Sequence, residues 1–433
     1  MSDIVSEFLV AATVPLNAAH TSGALDRAAA MIAATPAIAH ANVFTLAVVG
    51  DDVRLAALLA VEPPTEPSAG RELATARGGP HEWDPLTYLC FSRFLQHDRT
   101  RANAFARAAR LLLAAGARAT TGFRSTDPNY PTEFECVLYG AAGVAHDAGV
   151  TRVLLDHGAD ANDEEVVYHS PETSDNETLQ VLLDHGTLTA DSLASMLLRK
   201  CDWHDEDGVA RLLAFGAEPN RMTRWGRTAL FQSVLRDNRL PILTRLLDAG
   251  GDPMLGSASH SCVAQAARDG RSDALALFVQ RGATLPTAGA DALLSHCVRG
   301  DLAGAQRLLA SNAGALDMLH VHAGDLLLSY ARVGNADGLR TLIALGLPVN
   351  ARSANGDGYW SLAPRSTALH AAAWRAHVPA VRALLEAGAD VNTRDARGRT
   401  PLVLARSAAV DSYWTDRVTP DLESLLLSAG ARE

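Results

Sequence analysis

Lysine is nearly absent from this chain: Lys200 is the single lysine among 38 basic residues in 433. So strong a bias toward arginine points to a GC-rich, bacterial source. Aromatic residues make up 5% against 48% hydrophobic residues overall, so the apolar content is mostly Ala, Leu and Val, which excludes large aromatic cores and suits closely packed helices. The five cysteines, Cys90, Cys136, Cys201, Cys262 and Cys297, are odd in number and never form a CxxC pair. They read as small buried hydrophobes in a reducing compartment, which places the chain in the cytoplasm. The acidic start "MSDIVSE" lacks the positive region of a secretory signal. The 23 uncharged residues Ala28 to Gly50 are rich in alanine and are interrupted by Pro36, His40 and Asn42, so they read as buried helix plus turn and no membrane partner is expected.

Charge of one sign is confined to one region. The net charge is −11, and residues 151–210 hold fourteen acids against three basic residues, which accounts for the whole excess. The remainder is neutral on balance, so the overall sign says little about partners.

What the chain has in abundance is repetition. An apolar pair followed by a Gly turn recurs as "RLLLAAGARA" at 110–119, "VLLDHGADAN" from 153, "VLLDHGTLTA" from 181, "RLLAFGAEPN" from 211, "RLLDAGGDPM" from 245, "LFVQRGATLP" from 277, "TLIALGLPVN" from 341 and "LLLSAGARE" at the end. A second mark precedes each pair by about twenty residues, as in "RTALFQSVLRDN", "SCVAQAARDGRSD", "STALHAAAWRAH" and "RTPLVLARS". Thr228 to Ser261 and Thr367 to Thr400 are both 33 residues, the period of a helix–turn–helix unit.

Each unit has a direct physical reading. Thr400 caps a first helix and Pro401 suits its first position, where no backbone donor is needed. Ala372 and Ala373 permit close helix approach, Val381, Leu384 and Leu385 share one face of the second helix, and Gly388 supplies the left-handed residue that ends it. These residues resemble the ankyrin repeat, with its T-P-L-H-x-A signature. The match is close at Thr367, Leu369, His370 and Ala372 and at Thr400, Pro401 and Leu402, fair around Thr228 and Ser261, and degenerate in the first half, where "WDPLTYL" at 83–89 is the best trace.

The resemblance implies an all-α fold, an ankyrin-repeat solenoid of stacked helix–turn–helix units with extended inter-repeat turns. About twelve units are expected across 1–433 as a single array, with 1–40 as the N-terminal capping unit and 398–433 as the C-terminal one. Inserts at 62–82, 121–131 and 352–365 fall between units and extend the turns.

Catalytic and metal chemistry find little support. Cys201, His204 and Asp205 in "CDWHDED" lie close together but lack a second ligand pair, so an exposed acidic turn is expected. "HVH" at 320–322 has no specified carboxylate partner, and the resemblance makes His370 a structural residue that ties neighbouring turns together. There is no GxSxG, HExxH, P-loop or GxGxxG in the required context, and no cofactor or metal is implied.

The resemblance places the partner surface on the turns and on the last exposed positions of each first helix. Counting from each Thr-equivalent yields Arg199, Arg236, Arg268, Arg299, Arg332 and Arg375, an expected ladder of arginines roughly 10 Å apart on the concave face. Arg224, Trp225 and Arg227 in one turn, Arg397 and Arg399 in another, Tyr359 and Trp360 in an insert, and Trp374 complete the candidate set. For Trp374, more than for Trp360, a buried packing role competes. The leading reading is a non-enzymatic scaffold for an acidic protein or peptide, serving as inhibitor, immunity or regulatory protein, with the acidic 151–210 segment meeting a basic patch. A binder of an anionic ligand or nucleic acid, or an enzyme with a site hidden in the groove, stays as an alternative.

Overall fold

The computed structural model describes residues 2–14, 24–60, 69–125, 134–256, 260–311, 314–411, 418 and 420–432. Within it the chain forms two compact units, Met1–Gly226 and Arg227–Glu433. Both are built from helix–turn–helix pairs. In the first unit these include Val43–Val49 with Asp52–Leu59, Ala190–Asp202 with Glu206–Phe215, and Glu164–His169 with Glu177–His185. The second unit carries Ala229–Leu235 with Leu240–Asp248, Cys262–Arg268 with Ser272–Gln280, Gly289–Cys297 with Leu302–Ser311, Ala323–Arg332 with Ala336–Ala344, Ala368–Trp374 with Val378–Glu386, and Pro401–Asp411 with Pro420–Ser428.

Local chemistry explains why the helices begin where they do. Thr228 Oγ1 accepts from the Phe231 amide at 3.2 Å, Ser261 Oγ from Ala264 at 3.3 Å and Thr400 Oγ1 from Val403 at 3.4 Å, each meeting a donor that the first helical turn leaves open. Pro401 opens its helix as expected. Gly388, at φ +82°, follows the end of Val378–Glu386, where a side chain would be strained. Behind these turns Asn162, Asn350 and Asn392 repeat one clamp: each side-chain oxygen accepts at 2.8 Å from a backbone amide of the following unit (Thr189, Asp390 and Arg432).

A second turn, between the two helices of a pair, recurs just as regularly. It holds one residue in the left-handed region: Gly50, His146 and His204 in the first unit, then Asp237, Gly270, Gly300, Gly334 and Ala376 in the second. The next residue often caps the second helix with its side chain, as Asp51, Asp147, Asp205 and Asn335 do.

The core is aliphatic and small. Leu246, Leu275, Leu342 and Leu384 are fully buried beside Ala371, Ala372 and Ala373, and Leu402 is 1% exposed, whereas Leu385 is only half-buried. All five cysteines are buried and unbonded to one another. His370 is buried too; its Nδ1 accepts from the Thr367 amide at 3.1 Å while Nε2 donates to Arg399 O at 3.1 Å, which joins one unit to the next turn. These partners fix the neutral Nε2–H tautomer, and burial holds its pKa below the usual histidine value.

The inserts do more than lengthen turns. Ala69–Thr75 is helical, Gly122–Arg124 pairs antiparallel with Phe134–Cys136, and Asp357 bridges Leu362 across a tight turn. Parts of the first two inserts, 62–68 and 126–131, lie outside the described residues. In "HVH" His320 and Val321 end the helix Gly314–Val321, and His322 lies in the turn before Ala323–Arg332. No helix among the described residues is long and apolar enough to cross a membrane.

Candidate functional site

In the second unit Arg236, Arg268, Arg299, Arg332 and Arg375 all fall one or two residues before the left-handed position of their turn. The register read from the sequence is therefore real for these five. Arg199 is out of register, five residues before His204.

Register does not make them open rungs. Arg375 Nη2 donates to Asp237 Oδ2 at 2.6 Å, although the two residues are 138 apart in sequence. Arg271 Nη1 lies 3.3 Å from the other oxygen of Asp237. Arg332 Nη1 reaches Leu235 O at 3.5 Å, and its guanidinium stands 3.8 Å from both Asp269 and Asp357. Arg332 O in turn accepts from Arg375 Nε at 3.3 Å and pairs with His377 Nε2 at 3.0 Å. Arg271, Arg332 and Arg375 are 2–3% exposed. The expected ladder of separated, solvent-facing arginines is thus corrected for Arg332 and Arg375, which converge in a buried charge cluster. The cause is that a buried guanidinium is unfavourable unless carboxylates and carbonyls surround it. Burial alone would raise the Asp237 carboxyl pKa, but Arg271, Arg375 and Arg332 outweigh it and hold the group below its ordinary value. At Asp269 burial prevails over Arg332 and the pKa is raised.

Aromatic rings complete the cluster. The Arg375 guanidinium lies 3.9 Å and that of Arg332 5.5 Å from the centre of the Trp360 ring. Trp374 Nε1 donates to Trp360 O at 2.7 Å. Trp360 is 4% exposed and Trp374 8%, so both pack inside, and Trp360 is the more buried of the two, contrary to expectation. Tyr359 differs. It is 39% exposed, stands edge-on to Trp360 at 4.7 Å and carries the half-buried Arg236 guanidinium 3.8 Å from its ring centre.

Among the other arginines, Arg268 grips Asp291 with two hydrogen bonds of 3.0 and 2.9 Å. Arg299 is exposed and bends back to Ser295 O at 2.7 Å. In the 390–400 turn Arg397 is exposed, while Arg399 donates to Asp395 at 2.8 Å and to Ser361 O at 3.1 Å.

In the first unit cations and rings alternate. Arg199 lies 3.9 Å from the Tyr168 ring, Tyr168 is 5.7 Å from Trp225, and Arg224 is 4.8 Å from Trp225. Arg199 is ion-paired with Glu172 and with Asp202, and Arg224 with Glu164. Trp225 is 38% exposed, and Arg227, which opens the second unit, is exposed with Nη1 3.4 Å from Gln232 Oε1. His169 sits between Glu165 at 3.2 Å and Glu172 at 3.0 Å. Burial would lower its pKa, yet hydrogen bonds to both glutamates overcome this and raise it to about 9.

The "CDWHDED" turn proves less exposed than its acidity suggested. Cys201, Asp202 and Asp205 are buried, and Asp205 receives the fully buried Lys200 ammonium at 2.8 Å. A hollow of about 400 Å³ elsewhere in this unit is lined by Arg77, Asp84, Arg118, Thr121 and Phe134, and the Asp84 carboxylate there accepts from Thr87 and Thr121. No group of histidine, cysteine and carboxylate residues among the described residues could hold a metal ion.

Residues 342–405 match the family described as ankyrin repeats (many copies). Residues 342–405 carry ankyrin repeats. No curated protein matches it. Among solved structures, the ankyrin repeat domain of human ASB11 is similar at 20% identity over 55% of this chain and 98% of that one, with a TM-score of 0.25, too low to carry a structural argument. Ankyrin repeats are generally protein–protein interaction modules.

The residues missed from the sequence are carboxylates. Asp237, Asp269 and Asp357 lie around the buried guanidiniums of Arg271, Arg332 and Arg375. The signal was present in "LRDN" and "ARDGR", where an aspartate follows the counted arginine directly.

Proposed function

We propose that this chain is a non-enzymatic protein-binding scaffold whose contacts are made by exposed arginine and aromatic side chains, and that its partner presents an acidic protein or peptide surface. The observation that carries this is the Arg236–Tyr359 pair: an exposed ring with a guanidinium 3.8 Å from its centre, at the face where the first helices end. Rigid aromatics and arginines are the side chains that most often anchor interfaces. Arg299 and Arg397 add exposed positive charge, and Arg224 with Trp225 offers a comparable pair in the first unit. Arg332 and Arg375 support this face from beneath. We read 1–433 as one array with capping units at 1–40 and 398–433, because the left-handed turn keeps its 33-residue spacing from His204 to Asp237, across the boundary of the two units. Arginine-rich composition and five unbonded, buried cysteines fit a bacterial cytoplasmic inhibitor, immunity or regulatory protein.

The test is affinity capture with the wild type and with an Arg299→Glu/Arg397→Glu variant. The reading expects the captured set to lose its acidic members; an unchanged set would sink it.

A further inference from the structure

The turn Gly356–Ser361 rests on the arginine cluster, and its base is firmly held. Ser353 bonds Asp325 through its hydroxyl and Ser366 O through its amide at 2.9 Å; Asp357 and Leu362 exchange bonds of 2.8 and 2.9 Å. Trp360 is fixed by Trp374. Beyond that base the turn offers the arginines three groups: the Asp357 carboxylate to Arg332, the Tyr359 ring to Arg236, and the Trp360 ring to Arg375.

The fit is uneven. The two rings are in contact at 3.8 and 3.9 Å, whereas the Asp357 carboxylate stays 3.8 Å from Arg332 Nε. That nitrogen is buried and has no hydrogen-bond partner. A buried guanidinium N–H left unmet is unfavourable, and a carboxylate at ordinary hydrogen-bond length would satisfy it. Room to move exists at the tip: a Cβ on Gly358 would meet nothing within 4 Å, and Tyr359 is 39% exposed.

We propose that this turn is a built-in occupant of the arginine face, and that the partner segment is a short peptide pairing a carboxylate with an aromatic ring, which displaces the Asp357 carboxylate and the Tyr359 ring while Trp360 stays in place. This rests on the acidic-partner reading above and narrows it. The turn matches the displaced chemistry only in part, so the competing segment gains the bond to Arg332 that the turn leaves unmade.

The probe is a fluorescein-labelled peptide with the chain's own sequence from Ser353 to Pro364, followed by fluorescence polarisation. The Asp357→Asn/Tyr359→Ala protein is expected to bind it about ten-fold or more tightly than the wild type, and adding Arg236→Ala should reverse the gain. Tyr359→Ala alone, which removes a half-exposed ring, serves if the double variant is unfolded. Equal affinity for wild type and vacated proteins, or no binding to either when both show wild-type circular dichroism, overturns the proposal. Arg299→Glu/Arg397→Glu tests the acidic-partner reading separately. If that variant loses its acidic partner while the peptide distinguishes nothing, only the built-in occupant is refuted.

Discussion

Asp237 holds its carboxylate toward two guanidiniums while its backbone sits at φ +53°, so it carries both charge and strain. Replacing it with asparagine removes one counter-charge from both Arg271 and Arg375, while Arg271 keeps Asp273 at 2.8 Å. Removing one partner of a buried ion pair costs about 3–5 kcal/mol, and Asp237→Asn should lower the thermal midpoint accordingly, read by circular dichroism. A loss below about 1 kcal/mol would mean that Asp273 and Asp269 suffice. His169 provides the pH-dependent counterpart. Its folded pKa of about 9 is above the unfolded value of 6.5, so its stabilising contribution is complete below the unfolded value and disappears as pH rises through about 9. The wild type should therefore lose stability between those two values, and His169→Gln should flatten that part of the profile. An NMR titration that places the His169 midpoint near neutrality would contradict the geometry.

At the level of the element, the turn between paired helices takes either glycine or a strained residue. Ala376 occupies at φ +56° the position filled by Gly270, Gly300 and Gly334 in neighbouring pairs. An L-residue in that region is disfavoured by about 1–2 kcal/mol, so Ala376→Gly is expected to raise the midpoint in a thermal melt. At the other end of a pair, Thr228→Ala removes the cap on Phe231 and should cost about 1 kcal/mol. Elements of this kind were legible in the sequence because their determinants are local. Thr228, Ser261, Thr400, Pro401 and Gly388 act within one helical turn of themselves. Arg199 was misplaced because its helix, Ala190–Asp202, is longer than the first helices beside the other counted arginines, and counting from an assumed start cannot register added length.

Across the whole molecule, stability in repeat architectures comes from contacts between neighbouring pairs, but Asp237 joins pairs far apart in the second unit. Hydrogen exchange makes the consequence visible. Asp237→Asn should quicken exchange in Ala229–Leu235, Cys262–Arg268, Ala323–Arg332 and Ala368–Trp374. Faster exchange confined to Ala229–Leu235 would show that the cluster does not couple these pairs.

The sequence by itself determined the repeat, because period, caps and glycines are set by backbone geometry within a few residues. It also determined which positions hold arginine. Tertiary structure alone decided which arginines face solvent. That outcome depends on carboxylates up to 138 residues away, such as Asp237 opposite Arg375, and on the ring of Trp360 brought in by an insert. The buried guanidinium of Arg375 takes its counter-charge from distant chain, and no local pattern specifies that meeting.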